Sequence, residues 1–296
     1  QKNNFIQSIE EVELNNEDIN EYVENENKKK SEIKLSDIEE LKLKENIKRV
    51  RLDVGTSSTA PNSAFWLSKY NDMAVFAFEP NPFNAECVRN GTDVYPNDYK
   101  LVQNKGIVTK DNTVIATFDE RNNQFEIFEV AIDNVNTPTN KTFYCTSELN
   151  TGCSSLHRPI DERLNGVVTE KEIQVTAVAL KEFFQNFNWE QIPFIEFLKT
   201  DTQSNDLNVI KSCGEYLKKI CFVQSEYYAH SAYEGELSQL EAFNNFNEYM
   251  LQNGFKCYFS SGTDAAYVNE ELIPYIIQSG LVNDSLEFIK GHNYFI

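Results

Sequence analysis

Arg51-Leu-Asp-Val-Gly-Thr-Ser-Ser58 and, further along, Val75-Phe-Ala-Phe-Glu-Pro-Asn-Pro82 are the two stretches on which the fold turns. Each reads as a short apolar strand that ends in an acid and then a turn: Asp53 before Gly55, and Glu79 before Pro80-Asn81-Pro82. Gly55 lets the backbone turn sharply into a following helix, while the Pro-Asn-Pro run breaks its strand and opens the next helix. An acid about 20 to 30 residues after a Gly-bearing first turn is placed to accept hydrogen bonds from ribose hydroxyls. The pair therefore predicts a doubly wound sheet that holds a cofactor carrying adenosine.

Working outward, apolar strands alternate with amphipathic stretches from Val50 onward, which is the pattern of an α/β fold. Strands are expected over 49–54, 73–79, 125–132, 194–201, 220–226, 255–259 and 266–269, with short or edge strands at 141–145 and 172–177. Helices are expected over 61–69, 82–90, 180–187, 207–217 and 236–253. The polar, turn-rich region 90–123 reads as an inserted hairpin or lobe. Residues 1–47, rich in Glu, Asn and Lys, read as an acidic arm, a solvated tail or a segment that docks a protein partner. Ser36-Asp-Ile-Glu39 has the spacing of a capping box and predicts a short helix from Asp37 to Glu45. The domain proper is expected over 48–296.

Composition sets limits. The 296 residues leave room for one substantial core with insertions, and 41% hydrophobic residues favour a globular body. A net charge of −19 argues against direct nucleic-acid binding over a broad surface and against docking on anionic membranes. No apolar run is long enough to insert in a bilayer, and the start lacks the order of a secretion signal. The six cysteines form no C-x-x-C pair, and Cys213 and Cys221 sit among apolar neighbours, so reduced thiols and a cytoplasmic setting are expected. Three dispersed histidines suggest no His-rich metal site.

Two further strand ends carry polar residues to the carboxyl edge, where open α/β sheets bind ligands. Phe197-Leu-Lys199-Thr-Asp201 delivers Lys199 and Asp201 two positions apart, on one face of the strand, and Cys221-Phe-Val-Gln-Ser-Glu226 ends in another acid. Spacing alone fits either a structural ion-pair network or a catalytic cluster.

The order of these blocks resembles the FkbM-type methyltransferases, a branch of the class I S-adenosylmethionine-dependent fold. The resemblance rests on Leu52-Asp53-Val54-Gly55, Phe78-Glu79-Pro80-Asn81-Pro82, Val130-Ala131-Ile132 and Gly152-Cys-Ser154-Ser155-Leu156. Val175 to Leu180, Leu198 to Asp206 and Val223-Gln-Ser-Glu226 complete it, so that it covers about residues 48–270. It implies a mostly parallel, seven-stranded sheet with helices on both faces and an antiparallel strand near the C-terminus. It implies S-adenosyl-L-methionine as the methyl donor and a sugar hydroxyl of a glycan or glycosylated metabolite as the acceptor.

On that resemblance Asp53, Gly55, Thr56, Ser57, Glu79, Asn81 and Ala131 bind the cofactor, with Glu79 on the ribose hydroxyls. Lys199, Asp201 and Glu226 are the catalytic residues. Asp201 serves as general base or as ligand to a divalent ion, Mg or Mn. Lys199 stabilises the developing alkoxide, or serves as base if burial lowers its pKa. Glu226 orients the acceptor, and Ser154, Ser155 and Tyr228 contact it, the tyrosine by stacking on a sugar face.

The chain departs from the family pattern at three places. Thr59 stands where a second glycine is usual, and Gln203 and Ser204 replace an acid and a glycine after Asp201. Two rival readings stay open: a ribose 2′-O-methyltransferase on RNA, and a catalytically silent cofactor-binding module whose arm recruits partners.

Overall fold

The computed structural model of the chain describes residues 42–92, 99–147, 151–160 and 169–278. The capping box at 36–39 lies outside them. Within the arm, 42–44 carry no regular structure and 45–46 form a turn, so the expected helix does not reach Glu45. Lys44 Nζ donates to the Asn123 carbonyl at 2.8 Å, and Ile47 is buried in the core, so the last residues of the arm belong to the domain's surface.

The centre is a seven-stranded sheet built from β1 (Arg49–Val54), β2 (Met73–Phe78), β6 (Gln124–Phe128), β10 (Ile195–Thr200), β11 (Ile220–Glu226), β12 (Phe255–Ser260) and β13 (Asp264–Asn269). Their order across the sheet is β12-β13-β11-β10-β1-β2-β6. Six strands run one way, and β13 runs against its neighbours β11 and β12. β1, β2 and β10 are buried along their whole length, which is what parallel strands covered on both faces require.

Alternation divides the core. Val50, Leu52 and Val54 pack with residues of α4 (Leu180–Gln185), α5 (Asp206–Lys211) and α6 (Gln239–Gln252). Val75, Ala77 and Phe197 pack with α1 (Pro61–Lys69) and α2 (Pro82–Asn90) on the other side. That second cluster also takes Leu101, Val108 and Ala116 from a small antiparallel sheet of β3 (Tyr99–Val102), β4 (Ile107–Lys110) and β5 (Thr113–Thr117). Arg49 and Arg51 point to this same face. Both bind Glu196, and the Arg51 guanidinium lies 4.8 Å from the Tyr70 ring centroid and 5.1 Å from that of Trp66. α3 (Phe118–Arg121) leads into β6.

Three boundaries differ from the sequence reading. The strand expected over 125–132 breaks after Phe128, because β2 ends at Phe78 and offers no further partner; the last pairing there is Glu79 N–H to the Phe128 carbonyl at 3.0 Å. Its continuation, β7 (Ala131–Ile132), joins a third sheet with β9 (Thr169–Val178) and β8 (Thr139–Thr146). β8 and β9 are accordingly longer than the short strands expected. The helix expected over 207–217 stops at Lys211, and a 3₁₀ turn follows from Gly214, which is left-handed at φ +56. α7 (Ile273–Gln278) ends the described chain, and no described helix is long and apolar enough to cross a membrane.

Candidate active site

The first turn is built by contact between two strand ends. Gly55 is left-handed, φ +76, and its amide donates to the Phe78 carbonyl at 2.9 Å. A Cβ there would stand 1.9 Å from the Asp201 carbonyl oxygen, a distance no side chain tolerates, so glycine is required. The turn continues without a second glycine: Ser57 and Ala60 adopt φ +58 and +49, and Pro61 begins α1. The Thr59 carbonyl accepts from the Leu101 amide at 3.2 Å, which ties the turn to the small sheet.

Asp53 lies beneath this turn, fully buried. One of its oxygens accepts from Thr56 Oγ1 at 2.9 Å and Ser63 Oγ at 2.6 Å. The other faces the Lys199 ammonium at 3.4 Å. Asp53 therefore braces the turn rather than opening to the cleft above it.

Glu79 joins the two signature turns. Its carboxyl oxygens accept from the Ser57 amide at 3.0 Å and the Asn81 amide at 2.9 Å. Burial pushes its pKa up to about 7, against the pull of Asn81, Asn84, Ser57 and Lys199. Asn81 itself caps α2, accepting from the Phe83 amide at 3.1 Å, and takes no part in the cleft wall.

Lys199 sits in register with Asp53 on the neighbouring strand. Its ammonium donates to the Gly55 carbonyl at 2.8 Å and lies 3.6 Å from Asp201 Oδ2. Burial alone would lower its pKa, but the Asp53 and Asp201 carboxyls outweigh burial and raise it. The two carboxyls thus favour the charged ammonium, where burial on its own would favour the neutral amine that a lysine base requires.

Beyond Lys199 the chain turns through Asp201, Thr202, Gln203 and Ser204 before α5. The Asp201 side chain is 44% exposed, the most open acid of the group. Gln203 Nε2 donates to Asp201 Oδ1 at 2.8 Å and to Glu226 Oε2 at 2.7 Å. The Glu226 carboxyl, at the end of β11, is raised well above the carboxylate range by burial and then by Asp201, Asp206 and Asp264. Asp206 accepts from the Thr202 amide, and burial followed by Asp201 raises it to about 7. Among the described residues no group of three or more His, Cys, Asp or Glu side chains is arranged to hold a metal ion. The metal-ligand role for Asp201 finds no support there.

A cleft of about 150 Å³ opens at this carboxyl edge. Gly55, Thr56, Ser57, Glu79, Ala131, Ser154, Lys199 and Asp201 line it, as the sequence brings them together. An apolar wall of Phe78, Val130, Ile132 and Phe143 faces the polar residues. The break after β6 is what turns Val130 and Ala131 to the cleft.

Three other expected residues do not line it. Ser155 is buried, its hydroxyl donating to the Gln203 carbonyl at 2.6 Å and accepting from the His157 amide. Tyr228 bonds Ser231 Oγ at 2.9 Å and pairs with the His230 ring. Glu226 lines a second cavity with Asp206, Glu236 and His157. Sequence reasoning missed Asn62, Phe143, Thr202, Gln203 and Asn205. Gln203 and the residues beside it carried a signal, since they follow Asp201 in the same loop; Asn62 and Phe143 carried none.

Strand-end acids and a lysine thus gather around one cleft at the carboxyl edge of the sheet. A family model described as a methyltransferase FkbM domain matches residues 53–257, well over half the chain, and the protein belongs to that family. No curated protein and no solved structure matches it.

Proposed function

We propose that the protein is an S-adenosylmethionine-dependent O-methyltransferase whose acceptor is a hydroxyl of a sugar in a glycan or glycosylated metabolite. The observation that carries this reading is the single cleft in which the Gly55 turn, Glu79 and the Lys199–Asp201 pair meet an apolar wall. The residues fit the donor by their chemistry. Phe78, Val130, Ala131 and Ile132 suit a flat base, and Glu79 beside them suits ribose hydroxyls. The Ser57 and Asp201 end suits the amino-acid part. The sugar acceptor rests on family resemblance.

When bound, S-adenosylmethionine supplies a methyl group on a sulfonium. The protein has to position the acceptor in line and take its proton. Asp201, open to the cleft and held by Gln203, accepts the proton of the acceptor hydroxyl. S-adenosylmethionine, held by the Gly55 turn, Glu79 and the apolar wall, would supply its methyl group to that oxygen and would keep the electron pair of its carbon–sulfur bond. Lys199, charged and fixed between Gly55 and Asp53, offsets the negative charge that develops on the oxygen. Glu226, held beside Asp201 by the same Gln203 amide, orients the acceptor.

A homocysteine-release assay over panels of sugars and capped RNA, with and without magnesium or manganese, tests the proposal. Turnover confined to saccharides supports it. Turnover on RNA alone replaces it with the ribose 2′-O-methyltransferase reading, and turnover on neither favours the silent module.

A further inference from the structure

Gln203 stands where the family resemblance leads one to expect an acid, and every polar atom of its side chain is engaged. Its Nε2 lies 2.8 Å from Asp201 Oδ1 and 2.7 Å from Glu226 Oε2, so one amide donates both hydrogens to carboxyls on two adjacent strand ends. Its Oε1 lies 2.9 Å from the Tyr233 hydroxyl, which also reaches the Cys153 carbonyl at 2.8 Å. Its backbone carbonyl accepts from Ser155 Oγ at 2.6 Å. The backbone is left-handed at both Gln203 and Ser204, φ +56 and +85, which L side chains adopt only when surrounding contacts hold them there.

We propose that Gln203 is a positioning residue: its amide fixes the Asp201 and Glu226 carboxyls relative to each other and to the cleft, and Tyr233 and Ser155 lock the amide in place. What Asp201 does once positioned rests on the reading above; the bridge does not. Two carboxyls this close repel when both are ionised, and a shared donor of two hydrogen bonds offsets that repulsion. Lys199, Asp206, Asp264, Tyr233 and Cys153 face the pair, and His157, Tyr227 and Glu236 line the cavity beside Glu226. Gln203 supplies the pair's side-chain amide donor at a point where a glutamate would add a further acid.

The test uses the full chain with Gln203→Asn and Gln203→Glu. Asparagine tolerates the left-handed backbone, so the fold is kept while the shorter amide fails to span both carboxyls. Glutamate keeps the length, but as a carboxylate donates nothing. The first arm needs neither cofactor nor turnover. It is a carboxyl titration by carbon-13 NMR of the apo protein, assigned with Asp201→Asn and Glu226→Gln. The midpoint of the pair is expected to move to higher pH in both variants, because each loses donors that favour the ionised forms. A Gln203→Asn midpoint equal to wild type overturns the proposal.

The second arm is turnover: kcat is expected to fall by about tenfold to a hundredfold with cofactor affinity unchanged, the size of effect a misplaced catalytic group gives. Tyr233→Phe, which frees Oε1, is expected to show a smaller change in the same direction. Equal kcat in Gln203→Asn and wild type also overturns the proposal. A wild type without methyl transfer overturns the functional reading instead, and the titration still decides the bridge.

Discussion

Gly55 and Asp201 meet backbone to backbone, so closely that a Cβ on Gly55 would stand 1.9 Å from the Asp201 carbonyl oxygen. The Asp201 amide in turn donates to the Val54 carbonyl at 3.0 Å. The turn proposed to hold the cofactor and the loop proposed to meet the acceptor are therefore one packed unit, and a shift in either moves the other.

Gly55→Ala follows from that contact. It combines a left-handed backbone with a clash against backbone atoms that have nowhere to go. The expected loss is about 3 kcal/mol or more, with loss of cofactor binding. Urea unfolding and calorimetry read the two effects separately.

Asp201→Asn is expected to keep cofactor affinity and to lower kcat by about 10²- to 10⁴-fold, the range that general-base removal gives. Steady-state kinetics beside a binding titration check this. Full activity in the variant excludes Asp201 as the base.

Glu196→Gln tests the far end of the same strands. Burial would raise Glu196, but Arg51 and Arg49 outweigh it and hold it at about 2. Removing its charge takes the carboxylate away from two buried guanidinium groups, and about 3 kcal/mol of stability is expected to go. Cofactor affinity is expected to stay unchanged, because Glu196 lies at the opposite end of β10 from Lys199.

Stability is expected to depend on pH with a definite sign. Glu79 rises from 4.5 to about 7 and Asp206 from 3.8 to about 7. Both bind protons more tightly folded than unfolded, so their contribution falls as pH climbs through that window. Glu196 behaves oppositely: its contribution is complete above 4.5 and is lost as pH falls toward 2. The apo protein is therefore expected to be most stable near the lower ends of the Glu79 and Asp206 windows, and Glu79→Gln to flatten the fall toward neutral pH. Thermal unfolding across buffers measures both. A wild-type curve that rises steadily from acid to pH 8 contradicts the assignment.

Much of the sheet was legible because parallel strands buried on both faces leave continuous apolar runs, as in Met73 to Phe78, and because Pro61, Pro82 and Asn81 mark helix starts by local chemistry. Gly55, Glu79, Lys199 and Asp201 were legible as strand-end residues, since the carboxyl edge is fixed by strand direction. What stayed hidden depended on long-range partners. Nothing local says that the strand must break after Phe128 and that Ala131 and Ile132 then pair with β9, or that Asp53 faces Lys199 rather than the cleft. Tyr228 and Ser155 have side chains suited to a substrate, yet they are spent on Ser231 and on the Gln203 carbonyl. Gln203, visible in the chain only as a departure from a pattern, gains its meaning from Glu226 across 23 residues of sequence.

The central claim is that the cleft at Gly55, Glu79 and Asp201 holds a methyl donor. Isothermal calorimetry of the purified chain with S-adenosylmethionine and with its demethylated product tests it most directly. One-to-one binding of both, abolished by Gly55→Ala and retained by Asp201→Asn, is the predicted result. Absence of binding to either ligand contradicts the account.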